Sequence, residues 1–356
     1  MISLTNYGFV PDMIPLNSIG IPARIVAVHK ERYALICEQG ETYGRLKSSA
    51  YYADTSLDFP TTGDFVLINY NPDGDSQIIK TLHRKTKFSR NDFSGHSVGY
   101  VKTVREQVVA ANFDYVFIMQ SLNHDLNVRR LERYLTLACQ SGAIPVVVLT
   151  KADLAEDSEK LLKTIEKVTA GFEVHSISAK TGYGLETLSN YLQPGKTIVL
   201  LGSSGVGKSS LVNALAGNEV MVVREIREED SRGRHTTTHR QLLLLPNGSI
   251  VIDTPGMREL GMWEVSERLG EVFADVEKYI GNCKFSDCRH EAEPGCAVKA
   301  AIESGELSLE RWESYLKIKQ EAKFAADKRA FPRVKDAPNK KPSIKNRQKK
   351  HKERKL

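Results

Sequence analysis

No apolar run in the 356 residues approaches the ~18–20 consecutive residues of a membrane-spanning helix. Met1 to Pro15 contains no basic stretch followed by an apolar one, so no secretory signal is expected. The expected compartment is the cytoplasm. Cysteine is scarce: five in the whole chain are too few to staple a protein of this size with disulfides. Neither sign of charge dominates the body of the chain. Lys and Arg number 50 against 44 acids; Arg333 to Leu356 holds 11 against 2, so the first 332 residues hold 39 against 42. The basic excess is therefore a tail, the footprint of an arm that touches nucleic acid. What is present is an ordinary core-forming composition, 41% hydrophobic and 26% charged, in a length suited to two or three domains.

The chain changes grammar three times. Within residues 18–86, Ala23–Val28, Ala34–Cys37, Thr42–Leu46, Phe65–Ile68 and Ile78–Leu82 read as short strands, separated by turn residues such as Asn71-Pro72-Asp73-Gly74. Five strands without a helical period predict a small barrel, an OB-fold first and an SH3-like barrel second. Residues 87–105 are polar and read as a linker or ordered loop. Beyond them, Tyr115–Met119, Ile144–Leu149, Val174–Ile177, Thr197–Leu201 and Ile250–Ile252 are buried-type strands. They alternate with helical segments such as Val128–Gln140 and Glu156–Thr169, the pattern of an α/β sheet with helices on both faces. From Leu269 to Ile280, apolar residues recur at the spacing of one buried helix face, and Leu309, Trp312, Tyr315 and Leu316 repeat it. The tail from Pro332 has no apolar period and is expected to be disordered when free. The expected units are 1–90 (barrel), 91–262 (α/β domain), 263–331 (helical domain) and 332–356 (basic tail).

Gly202-Ser203-Ser204-Gly205-Val206-Gly207-Lys208-Ser209 fits G-x-x-x-x-G-K-S between a strand and a helix start, with Ser210 following. Such glycines let backbone N–H groups turn inward around phosphate oxygens, and the helix N-terminus adds positive potential. Lys208 is placed to reach β- and γ-phosphates and Ser209 to ligate Mg²⁺. The base is named elsewhere. Thr150-Lys151-Ala152-Asp153 closes a buried strand, and a carboxylate at Asp153 accepts from guanine N1–H and its 2-amino group, donors that adenine lacks. The Lys151 stem can lie over the purine. Ser178-Ala179-Lys180 ends the next strand, where the Ala179 N–H meets guanine O6. Asp253-Thr-Pro-Gly256 follows a further strand: Asp253 suits outer-sphere Mg²⁺ contact and the Gly256 N–H suits the γ-phosphate. One of Thr236, Thr237 and Thr238 is expected to sense Mg²⁺ and the γ-phosphate, Thr237 being favoured. Met257 stands where many GTPases carry the glutamine that orients the attacking water, and a thioether is a poor hydrogen-bond partner. His235, beside the threonines, is the candidate for that task. The base motifs precede the phosphate loop instead of following it, which a circular permutation explains.

Cys283, Cys288, His290 and Cys296 follow C-x4-C-x-H-x5-C, four N/S ligands within 14 residues. They suit a closed tetrahedral Zn²⁺ site with a structural role. Cys37 and Cys139 lie in apolar contexts and read as buried.

From about residue 20 to 320 the chain resembles the ribosome small subunit-dependent GTPase A family of circularly permuted bacterial GTPases. The resemblance is carried by Thr150–Asp153, Gly202–Ser210, Gly233–Thr238, Asp253–Gly256, the Cys/His cluster, and Arg311 with Ser314-Tyr315. It implies a multidomain α/β protein: an N-terminal OB-like β-barrel, a circularly permuted P-loop GTPase domain and a C-terminal helical zinc-binding domain. It also implies GTP/GDP with Mg²⁺, one structural Zn²⁺, and late maturation of the small ribosomal subunit. Members bind that subunit through rRNA and hydrolyse GTP faster when bound, and the resemblance supports His235. Thr150 stands where most GTPases carry asparagine. A monomer without membrane contact is expected.

Overall fold

The computed structural model of the chain describes residues 2–29, 32–47, 51, 58–92, 105–122, 126–155, 158–169, 171–221, 241–253, 260 and 269–330. Strands β1 (Ile21–His29), β2 (Arg32–Cys37), β3 (Gly40–Leu46), β4 (Phe65–Asn69) and β5 (Ser76–Thr81) fall on the five segments expected. Their alternation turns Ala23, Ile25, Tyr33, Leu35, Cys37, Val66, Ile68 and Ile78 into one interior. Pairing runs β1-β2-β3-β5-β4 and back to β1, with β3 and β5 parallel and the other pairs antiparallel, so the barrel closes as an OB-type Greek key. Phe9, Met13 and Ile14 of the N-terminal extension pack over one end, against Phe65, Leu67 and Leu82.

The second sheet is built from β8 (Tyr115–Ser121), β9 (Ile144–Thr150), β10 (Glu173–Ser176), β11 (Thr197–Gly202), β12 (Gln241–Leu244) and β13 (Ile250–Asp253), in spatial order β10-β9-β8-β11-β13-β12. All neighbours are parallel except β12 with β13. Successive side chains serve opposite faces. Val116, Ile118, Val147, Leu149, Val199 and Leu201 meet Leu131, Leu135 and Ala138 of α1 (Val128–Ser141) and Ile165 of α2 (Ser158–Val168). Phe117, Met119, Val146, Val148, Ile198 and Leu200 meet Leu211 and Val212 of α3 (Lys208–Ala216). Chain order runs outward from β8 through β9 to β10, whereas after β11 the chain passes to β12 on the far side and returns through β13. The two directions part between β8 and β11, so the switch point of the sheet lies beside the β11 phosphate loop.

Two expectations need correction. Residues 87–105 are not simply a linker: β6 (Lys87–Asp92) pairs antiparallel with β7 (Arg105–Ala111). Its inward residues Phe88, Val109 and Ala110 are buried, and its polar side pairs across the strands, Ser89 to Glu106 and Arg90 to Gln107. Residues 269–280 are not one helix but α4 (Leu269–Val272) and α5 (Ala274–Ile280), broken at the fully buried Phe273. The helices α6 (Ala297–Glu303) and α7 (Leu309–Ala330) follow. Val272, Phe273, Val276, Trp312, Tyr315 and Ile318 of this helical part join the apolar cluster on α1 rather than enclosing a core of their own.

The barrel and the α/β part share backbone and a buried cation. Ala27 of β1, just past a bulge, pairs with Gln241 of β12. Arg24, wholly buried, donates to the carbonyls of Gly63, Tyr7 and Asn112 and to Thr197 Oγ1 at the foot of β11. Burial draws its pKa down to about 10. Gly63 has no alternative there, because a Cβ would stand 2.1 Å from the Ala111 carbonyl oxygen. Cys37 and Cys139 are buried, and no described helix is long and apolar enough to cross a membrane.

Candidate nucleotide and metal site

β11 delivers the chain into the phosphate loop through buried Gly202, where a Cβ would meet the Met119 carbonyl and Val206 at 2.9 Å. Gly205 and Gly207 hold the left-handed values φ +72° and +106° that the inward turn requires. Val206 is buried as the loop's anchor; Ser204 and Gly205 form its exposed tip. Gly207 is the N-cap of α3, so the backbone of Lys208, Ser209 and Ser210 opens a helix whose first N–H groups lack intrahelical acceptors. The Lys208 ammonium donates to the carbonyls of Gly202 (2.9 Å) and Ser203 (2.6 Å), folding back across the loop. Asp253 ends β13, the neighbour of β11. Burial raises its pKa and the Lys208 charge opposes that rise, so the two groups feel each other.

The base motif lies at the end of β9. Lys151 takes φ +59°, and a short turn over Ala152–Leu154 lifts Asp153 into solvent. Ala152 N–H donates to the Ile177 carbonyl, tying this turn to the next strand end. Thr150 Oγ1 donates to the Val206 carbonyl at 2.6 Å. A threonine thus supplies the strut between base motif and phosphate loop at the position where most GTPases carry asparagine. Ser178 is buried, its N–H bonded to the Tyr183 carbonyl and its Oγ accepting from Thr181 N–H; Ala179 is half-buried and Lys180 exposed. A cleft of about 380 Å³ opens beside Asp153, lined also by Leu122, Ala152, Ser176, Thr181 and Tyr183. His235, Thr236, Thr237, Thr238, Gly256, Met257 and the tail lie outside the described residues. The segment carrying His235 and the threonines is delivered to β12 at Gln241, which sits in register with Asp253.

Cys283, Cys288, His290 and Cys296 converge: their ligand atoms all lie within 4.8 Å of one another. His290 Nδ1 is 3.4 Å from the sulfurs of both Cys283 and Cys296. His290 has φ +63°, and Cys296 is the N-cap of α6. The loop is braced by the Glu293 carboxylate, which accepts from the N–H groups of Arg289, Glu291 and Ala292. Those bonds, Arg289's first, hold its pKa down at about 2. Three thiols and an imidazole converging on one point are a donor set that could hold a metal ion and that fits tetrahedral zinc. Trp312 of α7 lies edge-on to the His290 ring at 5.4 Å, seating the cluster on the helical part.

A buried ionic clamp between α1 and α7 escaped the sequence. Arg311 Nη1 lies 2.6 Å from Glu132 Oε1, and Ser314 Oγ donates to the other Glu132 oxygen. Arg311 also grips Asp275 through Nε and Nη2 and donates to the Val272 carbonyl, which the break at Phe273 leaves without a helical partner. Its guanidinium stacks 4.2 Å from the Phe273 ring centroid. Nearby, Arg133 donates to the Leu260 carbonyl and pairs with Glu321. No local pattern marks Glu132, since its partners lie about half the chain away.

A family profile described as RsgA GTPase matches residues 81–263. The chain is 47% identical over 332 residues to the small ribosomal subunit biogenesis GTPase RsgA 2 of Listeria monocytogenes, covering 92% of this chain and 91% of that one. The crystal structure of YjeQ from Thermotoga maritima matches with a TM-score of 0.62 at 30% identity, over 85% of this chain and 98% of that one. YloQ, a circularly permuted GTPase, shares the fold with a TM-score of 0.56 at 22% identity, over 89% and 98%. The likeness extends well beyond the nucleotide motifs, and on that extent the chain belongs to the RsgA GTPase family.

Proposed function

We propose that this protein hydrolyses GTP to GDP and phosphate in the late maturation of the small ribosomal subunit, which it binds through rRNA and which stimulates its turnover. The observation that carries the nucleotide chemistry is the convergence of Lys208, Asp253 and the Thr150–Asp153 turn at the C-terminal ends of adjoining strands, with Thr150 bonded to the phosphate loop. The family relationship carries the ribosomal context.

In this reading Asp153 accepts from guanine N1–H and the 2-amino group, Lys151 covers the purine, and the Ala179 N–H meets O6. The N–H groups of Ser203 to Ser210 cradle the phosphates. Lys208 exchanges its two loop carbonyls for β- and γ-phosphate oxygens. Ser209 and Asp253 would hold Mg²⁺, and Thr237 and the Gly256 N–H would complete the γ-phosphate contacts. Mg²⁺, when bound, supplies neutralisation of phosphate charge. His235 orients the attacking water, since Met257 has no group to do so. Cys283, Cys288, His290 and Cys296 hold Zn²⁺ and fix the helical part. The tail from Arg333 adds phosphate contacts on rRNA.

The test is GTP turnover with purified small subunits, large subunits or tRNA. The expected result is strong stimulation by small subunits alone. Nucleotide-dependent subunit affinity without stimulated turnover would instead describe a sensor, and stimulation by tRNA alone would move the partner elsewhere.

A further inference from the structure

We propose that the outer surface of the barrel at β2 and β3 is a stacking platform for an unpaired RNA base, with Tyr43 as the platform and Arg45 beside it for the flanking phosphate. The proposal rests on the reading of the small subunit as partner and says where on the barrel its RNA is gripped. Strand alternation brings Glu41, Tyr43 and Arg45 to one side of β3, with Lys47 just past its end, all exposed. Tyr43 keeps 44% of its surface in solvent. Its cross-strand neighbour is Ala34, too small to cover the ring. The Arg32 guanidinium lies 3.9 Å from the ring centroid, so a planar cation and an aromatic ring already form a stack.

That arrangement is held from below by one carboxylate. Asp75, in the turn between β4 and β5, accepts from Arg32 Nε (3.0 Å) and Nη2 (2.8 Å) with one oxygen and from Arg45 Nε (2.7 Å) with the other. Arg32, Arg45 and Lys47 stand against Asp75 and Glu41, so the face keeps a single net positive charge. Planar cations and aromatic rings are the surfaces on which splayed-out bases stack, and a cation beside the stack suits the phosphate that follows. Because Arg32 and Arg45 are already oriented by Asp75, little ordering remains for the moment of binding. The elements involved are the beginning of β2, strand β3 and the β4–β5 turn, the side on which OB barrels take oligonucleotides.

The test uses the full-length chain, with binding measured to purified small subunits and to a fluorescein-labelled, unstructured RNA of about twelve nucleotides, within the usual single-barrel site size. Tyr43→Ala and Tyr43→Leu are expected to weaken both interactions about tenfold, whereas Tyr43→Trp keeps them. Arg45→Ala is expected to reduce the salt slope by about one ion. Basal GTP turnover stays unchanged in every variant. Full binding by Tyr43→Leu overturns the platform while leaving the proposed function intact. Weakened binding to subunits but not to the RNA probe also overturns it, assigning the surface to a protein contact. A parent chain that binds neither subunits nor RNA overturns the platform together with the partner reading beneath it.

Discussion

Replacing Arg311 by alanine should loosen the helical part more than any other single charge removal among the described residues. Glu132 is 2% exposed, so deletion of Arg311 leaves a carboxylate out of water with the Ser314 hydroxyl as its remaining bonded side-chain partner. Breaking a buried ion pair from one side typically costs ~3–5 kcal/mol. The Val272 carbonyl loses its donor as well, a further cost of ~1–3 kcal/mol where no water replaces it. Asp275 is 43% exposed and rehydrates at little cost. The expected destabilisation is about 4 kcal/mol where water replaces the donor at Val272, and more where it does not. Arg311→Lys retains charge without the fork and should lose about half of that. The exposed pair Arg129–Glu313 sets the contrast: both side chains are more than half in solvent, and Glu313→Ala should cost below ~0.5 kcal/mol. Trp312 adjoins Arg311 in α7, and the chain holds only two tryptophans, so urea unfolding followed by fluorescence in a Trp263→Phe background reports this region alone. Replacing both partners, as Arg311→Met with Glu132→Leu, should recover the share due to the stranded carboxylate, because no charge is then left buried, while the cost at the Val272 carbonyl stays. A loss under about 1 kcal/mol for Arg311→Ala, or a double variant as unstable as the single one, would refute the clamp.

Asp153→Asn should exchange guanine for xanthine preference, with discrimination on the order of 10⁴-fold; equal affinity of the parent for ATP and GTP would remove the basis for this. Thr150→Val should weaken GTP and GDP alike by about tenfold through the unpaired Val206 carbonyl, and Thr150→Asn should restore both, as measured by fluorescent-nucleotide titration. Burial raises the Asp253 pKa, so the folded, nucleotide-free state holds this proton more tightly than the unfolded chain. Its contribution to stability therefore rises as pH falls from above the folded pKa toward the unfolded value near ~3.9; in melting curves across that window Asp253→Asn should abolish the dependence and raise the neutral melting temperature while losing Mg²⁺-dependent turnover. His235→Ala should keep GTP affinity but lose subunit-stimulated turnover by ~10²–10³-fold, and unchanged stimulation would move water positioning to the ribosome.

The parts legible in the sequence are those with local causes. The five barrel strands announce themselves by alternation and turn residues, and the phosphate loop by glycines that only one backbone path explains. The Cys/His cluster is local too, four ligands within one loop. The hairpin of Lys87–Asp92 with Arg105–Ala111 escaped because its polar residues pair with each other across strands separated by many residues. The break at Phe273 is invisible to periodicity, since one residue out of helix leaves the apolar spacing nearly unchanged. Arg24 and Glu132 are the hardest cases. Nothing nearby distinguishes a charged residue destined for burial from its exposed neighbours; the partners of Arg24 are scattered from 17 to 173 residues away, and Arg311 lies 179 residues from Glu132.

The permuted order gives β12 and β13 two neighbours of different kinds. On one side the chain leaves Asp253 for the helical part, but Leu260 is buried, bridged to Arg90 of β6 and bonded through its carbonyl to Arg133 of α1. A displacement beginning at Asp253 meets that fixed point within seven residues, and α7 beyond it is clamped to the same helix by Arg311. On the other side the link is a row of strand pairs. Asp253 pairs with Gln241, and Gln241 pairs with Ala27 of the barrel, three residues in one row across three adjoining strands. Gln241 is also the first residue after the segment that carries His235 and the threonines. Among the described residues, β12 and β13 are thus tied to the bulged strand β1 through backbone pairing, and the chain beyond Asp253 is tied to β6 and α1 through Leu260. Under the proposed role of Asp253, the barrel is joined to that residue by two successive strand pairings.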